Sequence, residues 1–290
     1  MRQIVVLSGK GGTGKTSVTA ALAHLASRSD GAVMVDADVD AANLGLTLRP
    51  TILERHEFSG GMVATVDDDA CVRCGECVEA CRFGGMTGPG VIHELDCEGC
   101  AACVQRCPAK GLVMRPAVTG EWFESDTRFG RLFHARLFPG RENSGKLVTA
   151  VRAAGRDHAD AEGIDLVLID GPPGIGCPVI AASTGVDLAL IVTEPTISGA
   201  ADLERALGTV THFGIPALVV VNKADLNPAW ADRIEGLVGE AGIELAARIP
   251  FDPEVTRAMV NLLTVTEAGS GPAAVAIEGL WAELRQGVLT

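Results

Sequence analysis

A glycine-rich segment near the N-terminus, SGKGGTGKTS at residues 8–17, has the composition and spacing of a phosphate-binding loop. Glycines let successive backbone N–H groups turn toward phosphate oxygens, and the positive end of a following helix adds to the attraction. The G-x-x-x-x-G-K-T pattern predicts Lys15 at the β- and γ-phosphates and the Thr16 hydroxyl on Mg²⁺. A glycine-rich turn that binds nothing is the alternative, but an apolar strand pattern precedes this loop and an apolar helical pattern follows it. The predicted nucleotide-contacting residues here are Gly9, Gly11, Gly12, Thr13, Gly14, Lys15, Thr16 and Ser17.

Eight of the nine cysteines form two motifs of equal spacing, and these are Cys71, Cys74, Cys77 and Cys81, then Cys97, Cys100, Cys103 and Cys107. The spacing resembles that of bacterial two-cluster ferredoxins, in which a 4Fe–4S cluster takes three cysteines from one motif and the fourth from the other. The resemblance implies one cluster on Cys71, Cys74, Cys77 and Cys107, and a second on Cys97, Cys100, Cys103 and Cys81. Zinc is the alternative, because paired C-x-x-C motifs also bind zinc. Arg82 departs from the ferredoxin pattern, which usually has proline after this cysteine.

The elements around these motifs predict an α/β fold. Continuous apolar segments at 3–8, 164–170, 186–194 and 217–225, together with AVMVDADVD from residue 32, are typical of parallel strands covered on both faces. We therefore predict a mostly parallel P-loop sheet with helices on both faces, interrupted by a small α+β ferredoxin-like insertion. The predicted boundaries are 1–65 and 117–290 for the two parts of the P-loop domain, and 66–116 for the insertion.

A second lysine in the loop, Lys10, is part of a segment that resembles a known family. The segment GKGGTGKT resembles the deviant Walker A loop of the MinD/ParA/Mrp and nitrogenase iron protein superfamily. The resemblance implies an ATP-dependent dimer, in which Lys10 reaches the nucleotide of the facing subunit and stabilises charge on the transferred phosphoryl group. It also implies that Lys10, Lys15 and Asp38 are the catalytic residues.

Further segments extend this resemblance over most of residues 1–50 and 164–260. DADVDAANL resembles switch I, so that Asp38 would orient or activate the attacking water and Asp36 would support Mg²⁺. IDGPPG resembles switch II, with Asp170 holding Mg²⁺ through water. VVNKAD and IPFDPEV resemble the base-binding loops, which implies contacts from Asn222, Pro250 and Asp252. Acidic strand ends that are merely solvated are the alternative, and Asn222-Lys223-x-Asp225 also resembles the guanine-reading motif of GTPases, so ATP and GTP both stay open.

Together the two motif sets resemble the ferredoxin-containing MinD-type ATPases. The resemblance implies a slow, partner-stimulated ATPase with Mg²⁺ and two 4Fe–4S clusters, acting as a homodimer or as a heterodimer with a paralogous ATPase. Its output would be electron transfer to, or metal-cofactor assembly on, a partner protein. A non-catalytic cluster carrier that uses ATP only as an assembly signal is the alternative.

Charge and composition argue against other classes of function. The chain has 24 Lys and Arg against 37 Asp and Glu, a net charge of −13, with no basic cluster that would bind nucleic acid or a membrane surface. This balance disfavours a positioning ATPase of the MinD or ParA kind. The sequence enters a strand at once, which predicts no signal peptide and a cytoplasmic protein, and the cluster motifs suggest an anaerobic prokaryote as its source.

Three lesser features complete the predictions. Residues 119–151 are typical of a β-hairpin followed by a helix capped near Asn143 or Ser144, and residues 273–288 of a helix packed on the core. Cys177 lies just past the switch II segment, where the nitrogenase iron protein has a cluster ligand. It is a possible metal or cluster ligand at a dimer interface, and a small buried residue at a helix start is the alternative.

Overall fold

The computed structural model of the protein describes residues 1–140, 144–269 and 271–287. The chain divides into two compact units. The first comprises Met1–Arg55, Trp122–Arg136 and the chain from Ser144 onward, and the second comprises His56–Glu121 with the segment that begins at Leu137. The second unit therefore starts earlier and ends later than the predicted insertion of 66–116.

The strands, in chain order, are β1 (Arg2–Ser8), β2 (Val33–Asp36), β3 (Thr51–Val66), β4 (Met86–Gly88), β5 (Val91–Ile92), β6 (Leu112–Thr127), β7 (Gly130–Leu137), β8 (Leu166–Pro173), β9 (Leu188–Thr193), β10 (Ala217–Asn222) and β11 (Glu244–Ile249). The helices are α1 (Lys15–Ser27), α2 (Leu44–Leu48), α3 (Glu76–Ala80), α4 (Ala102–Arg106), α5 (Ser144–Glu162), α6 (Cys177–Ser183), α7 (Ile197–His212), α8 (Pro228–Glu240), α9 (Pro253–Val260), α10 (Val265–Ala268) and α11 (Pro272–Gly287).

A large, mostly parallel sheet has the strand order β11-β10-β9-β1-β8-β2-β7-β6-β3. The strands from β11 to β7 in this order belong almost entirely to the first unit, whereas most residues of β6 and β3 belong to the second. β1 pairs in parallel with β8 and β9, and β2 pairs in parallel with β8 and β7. β1, β2, β8 and β9 are buried along most of their length because they consist largely of consecutive apolar residues. The five predicted apolar strands are confirmed. Their carboxyl ends meet at one edge of the sheet, where open α/β folds bind ligands.

Two helices cover the same core of this sheet. α1 buries Val18, Leu22 and Leu25, and its alanine-rich sequence allows close packing on the strands. α11 adds Ile277, Leu280 and Trp281 to the same cluster. The predicted C-terminal core helix is therefore confirmed.

The predicted hairpin is formed by β6 and β7, with Arg128 and Phe129 as its turn. Thr127 fixes this turn, since its hydroxyl donates to the Gly130 carbonyl at 2.6 Å and accepts from the Phe129 N–H at 3.1 Å. The predicted helix follows as α5, which begins at Ser144. Asn143, one of its two predicted caps, lies outside the described residues.

The second unit is built around its cysteine motifs. Each motif contributes one five-residue helix, α3 or α4, and the antiparallel pair β4–β5 lies between them in the chain. The small core consists of Ala64, Cys77, Met86, Cys103 and Leu112. β3 and β6 supply residues at both ends of this core, which is why the unit extends beyond the cysteine-bearing segment itself.

Candidate functional site

The glycine-rich segment forms the turn between β1 and α1. Gly14 has a φ of 95°, a left-handed conformation that favours glycine, and a Cβ there would lie 2.3 Å from Asn222 Nδ2. Lys15 is the first residue of α1, so the N-terminal end of that helix faces the loop. The local structure is that of a phosphate-binding loop, as the sequence predicted.

Asp170, which is fully buried on β8, accepts hydrogen bonds from the residues predicted to hold phosphate and Mg²⁺. Lys15 Nζ donates to Asp170 Oδ1 at 2.8 Å, and Thr16 Oγ1 donates to Asp170 Oδ2 at 2.7 Å. Thr19, one helical turn further, also donates to Oδ1 at 3.1 Å. β1 and β8 are neighbours in the sheet, and this pairing brings residues 155 positions apart within contact.

The predicted switch I residues lie beside this cluster. Asp36 is fully buried at the end of β2 and accepts hydrogen bonds from the backbone N–H groups of Asp38 and Leu44 at 3.2 and 3.0 Å. Burial and the neighbouring Asp170 raise the pKa of Asp36 well above its ordinary value. Asp38 is less deeply buried, and burial raises the pKa of its carboxyl as well. Through these two hydrogen bonds, Asp36 holds the loop that carries Asp38 in place.

A cavity of about 690 Å³ opens beside the loop, within the size range of small-molecule sites. It is lined by the residues predicted to bind nucleotide: Gly11, Gly12, Thr13, Gly14, Lys15, Thr16, Ser17, Asp38, Asn222, Pro250 and Asp252. Thr13 is almost fully buried, and its hydroxyl has no hydrogen-bond partner among the described residues. Gly9 packs instead against α7, where a Cβ would meet Asp202 at 2.5 Å.

The predicted base-binding residues already have partners in the fold. Asn222 Nδ2 donates to the Thr13 carbonyl at 2.7 Å, which ties β10 to the phosphate loop. Asp252 is the N-cap of α9, and its carboxylate accepts from the N–H groups of Glu254 and Ala273 at 2.9 and 3.3 Å. Asp225 accepts from the Phe251 N–H at 2.5 Å. Their contacts with a base stay predictions.

Glu194 is a residue of this site that the sequence analysis missed. It follows β9, and its carboxylate forms ion pairs with Lys223 and with Lys10, the latter over 3.5 Å. Lys10 Nζ also donates to the Ser198 hydroxyl at 3.1 Å, and Lys223 Nζ to the Gly12 carbonyl at 3.4 Å. An acidic residue at the end of a buried strand was the available signal, the same one that singled out Asp36 and Asp170.

The eight clustered cysteines lie around two cavities of the second unit. One is lined by Cys71, Cys74, Cys77 and Cys107, together with Gly75 and Leu112. The other is lined by Cys81, Cys97, Cys100 and Cys103, together with Ala101 and Met114. Each cavity therefore combines three cysteines of one motif with one of the other, in the two predicted sets. All nine cysteines of the chain are free thiols.

The two motifs share an unusual backbone. Arg73 and Gly99, at equivalent positions, have φ values of 53° and 66°. Gly75 and Ala101, which precede α3 and α4, have φ values of 88° and 61°. Left-handed conformations are costly for residues other than glycine, so their repetition in Arg73 and Ala101 indicates a required loop shape.

The thiols of these cavities differ in environment. Although burial raises the pKa of Cys81, hydrogen bonds from backbone N–H groups between Phe83 and Met86 outweigh it and lower this pKa. Burial raises the pKa of Cys103. Among the described residues, no three His, Cys, Asp or Glu side chains converge on one point that could hold a single ion.

Cys177 stands apart from both cavities. It is the first residue of α6 in the first unit and is exposed, which disagrees with the alternative of a small buried residue. Its carbonyl and Cβ lie beside Gly145 of α5. A metal or cluster at Cys177 stays a prediction.

Comparison with known proteins adds to this geometry. The profile described as the CobQ/CobB/MinD/ParA nucleotide binding domain matches residues 4–265. The chain belongs to this family. The uncharacterized protein MJ0578 of Methanocaldococcus jannaschii is 32% identical over 268 residues, which cover 92% of this chain and 91% of that protein. The predicted MinD/ParA relationship is confirmed.

Two further similarities concern the fold and a shorter stretch. The septum site-determining protein MinD of Pyrococcus horikoshii, solved with Mg-ADP, has a TM-score of 0.62 and 20% identity, covering all of this chain and 98% of its own. It shows the fold. The pyruvate synthase subunit PorD of Methanothermobacter marburgensis is 35% identical over 52 residues, 17% of this chain and 60% of that protein.

Within the described residues, no helix combines the length and apolar character that crossing a membrane requires.

Proposed function

We propose that this family member is an ATPase that carries two 4Fe–4S clusters and couples its nucleotide cycle to electron transfer to, or metal-cofactor assembly on, a partner protein. The observation that carries the proposal is the sorting of eight cysteines into two cavities, each with three thiols of one motif and one of the other. That sorting matches cysteine ligation in two-cluster ferredoxins. The phosphate loop and its cavity lie in the same chain.

The residues of the nucleotide site have distinct roles in this proposal. Lys15 exchanges Asp170 for the β- and γ-phosphates, and the Thr16 hydroxyl joins Asp170 in holding the Mg²⁺ of Mg-ATP. Asp38 accepts a proton from water as its oxygen bonds to the γ-phosphorus and the bond to the ADP oxygen breaks. Lys10 leaves Glu194 to stabilise charge on the phosphoryl group of a facing subunit.

The environment of Asp225 favours ATP over GTP. In a guanine-reading site the corresponding carboxylate accepts hydrogen bonds from the base. Here one oxygen of Asp225 is engaged by the Phe251 N–H. Asn222, the other polar residue of that motif, donates its amide to the phosphate loop. Asn222 and one oxygen of Asp225 therefore already have partners in the fold, which supports ATP as the proposed substrate.

The residues that line the cysteine cavities support cubane clusters as the proposed ligands. The four thiols of each set surround a cavity, and the backbone N–H groups next to Cys81 favour its thiolate form, which metal ligation requires. Gly90 leaves space beside Cys71, since a Cβ there would lie 3.1 Å from its sulfur. Bound clusters would supply one-electron transfer at low potential. The stretch shared with the pyruvate synthase subunit is about as long as the cysteine-bearing segment, and we infer that it falls there.

Exposed cysteines provide a matched test of cluster ligation. Cys74 and Cys100 each belong to one cavity, and Cys177 belongs to neither, yet all three are exposed. We expect the anaerobically reconstituted chain to bind about eight iron and eight sulfide ions. Cys74→Ser and Cys100→Ser should each lose the signature of one cluster by paramagnetic resonance, whereas Cys177→Ser should keep both. Equal iron content in all three variants would refute the assignment.

Turnover separates the ATPase from the carrier alternative. Hydrolysis of ATP by the reconstituted chain, measured with and without reductant, is expected to be slow but above the level of a Lys15→Ala variant. ATP binding with turnover no higher than that variant would leave an ATP-triggered carrier as the function. Binding of GTP as tight as that of ATP would contradict the base preference.

A further inference from the structure

Arg128, at the tip of the β6–β7 hairpin, makes an unusual number of contacts for a turn residue. Its guanidinium forms a two-pronged ion pair with Glu267, with Nη1 to Oε1 at 2.5 Å and Nη2 to Oε2 at 3.2 Å. Nη2 also donates to the backbone carbonyls of Thr47 at 2.8 Å and Leu262 at 3.2 Å. One side chain therefore joins three separate segments of the first unit.

Both of these carbonyls belong to residues that line the nucleotide cavity. Thr47 lies on α2, which follows the loop that carries Asp38. Leu262 lies between α9 and α10 and has a φ of 56°, a strained value for a leucine. The cavity thus has one wall that continues from switch I and another near the predicted base-binding loop, and Arg128 is hydrogen-bonded to both.

The guanidinium itself is held firmly. It lies 4.7 Å above the ring of Phe129, and that ring is buried and packs against His24 at 5.3 Å. Glu267 is fixed by a reciprocal capping box with Thr264 at the start of α10. A planar guanidinium bonds both carboxylate oxygens of Glu267 through two nitrogens while it also reaches the two carbonyls, whereas a lysine ammonium has three donors on one atom and cannot reproduce this geometry.

We propose that Arg128 is a positioning residue for the nucleotide site, which holds the two walls of the cavity at the spacing that a nucleotide requires. The inference rests on the proposed nucleotide binding and extends it to a residue outside every nucleotide-binding motif. When the cavity walls are already held in place, less conformational entropy is lost on nucleotide binding, and the affinity is higher. Loss of Arg128 therefore weakens nucleotide binding and leaves the chemistry at Asp38 and Lys15 intact.

The test compares Arg128→Ala and Arg128→Lys with Arg131→Ala. Arg131 lies on the same hairpin and pairs with Glu124 at 2.8 Å, and it is not among the residues that line the cavity. Thermal unfolding first gives the stability of each variant. Mg-ADP binding is then measured by calorimetry and ATP turnover by steady-state kinetics, both well below the unfolding temperature of every variant. We expect Arg128→Ala to raise Kd for Mg-ADP and KM for ATP by about tenfold with kcat unchanged.

Arg128→Lys should recover little of the lost affinity, and Arg131→Ala should bind as the wild type does. An Arg128→Ala variant that unfolds more easily but binds Mg-ADP normally while folded would overturn the positioning role. An equal loss in the Arg131→Ala variant would also overturn it, because the effect would then belong to the hairpin as a whole. A wild-type chain that binds neither Mg-ADP nor ATP would refute the proposed function as well.

Discussion

At the scale of single residues, the nucleotide site is a set of charges that neutralise one another, of which the Lys15–Asp170 pair is buried while Lys10 and Lys223 are half-buried. Asp170 is paired with Lys15, and Glu194 is paired with both Lys10 and Lys223. Breaking a buried pair by removing one partner is costly, because the other charge is left without compensation. A phosphate group can take the place of a carboxylate beside these lysines because both are negative. Mg²⁺ can likewise take the place of Lys15 beside Asp170 because both are positive.

Asp38 is the residue for which this site makes the sharpest kinetic prediction. We expect Asp38→Asn to lower ATP turnover by about 10²- to 10⁴-fold, since an amide cannot accept the proton of the attacking water. Mg-ATP binding should persist, because Asp38 is not bonded to Lys15 or Thr16 in the structure. Turnover is measured as phosphate release and binding by calorimetry. Asp40→Asn is the control, since Asp40 is exposed on the same loop; turnover unchanged in Asp38→Asn would contradict the assignment.

At the scale of elements, uninterrupted apolar strands and motif spacing made most of the first unit predictable. The strands that end at Ser8, Asp36 and Asp170 follow from their composition, and so do the residues at their carboxyl ends. Arg128 and Glu267 were not predictable, because their contact joins a hairpin tip to a helix 139 positions away. The lengths of β3 and β6 were also missed, since both strands mix exposed polar residues with few buried ones.

The loops before α3 and α4 allow a prediction about element geometry. Gly75 and Ala101 occupy equivalent left-handed positions, and a Cβ on Gly75 would meet nothing closer than 4.0 Å. Gly75→Ala should therefore cost about 1 kcal/mol of unfolding free energy from φ alone, and Ala101→Gly should not destabilise the chain. Urea unfolding of the metal-free protein measures both. Destabilisation by Ala101→Gly as large as that by Gly75→Ala would show that the two loops are not equivalent.

At the scale of the whole molecule, any coupling between nucleotide binding and the proposed clusters must act in both directions. If nucleotide binding alters the reduction of the clusters, reduction must alter nucleotide affinity by the same factor. We expect the Kd for Mg-ATP to differ between the oxidised and the dithionite-reduced reconstituted chain. The difference should disappear in a Cys74→Ser, Cys100→Ser double variant. Equal affinities in both redox states of the intact protein would show that the two units work without thermodynamic coupling.

The continuity of β6 has a consequence for anyone who wishes to transplant the cysteine-bearing unit into another ATPase. β6 begins at Leu112, which lines the first cysteine cavity, and ends at Thr127, next to Arg128, which is hydrogen-bonded to two residues that line the nucleotide cavity. A graft cut close to the last cysteine would discard the rest of this strand together with the hairpin tip. A chimera should therefore carry the chain from β3 through β7 as one segment, so that the recipient also acquires Arg128.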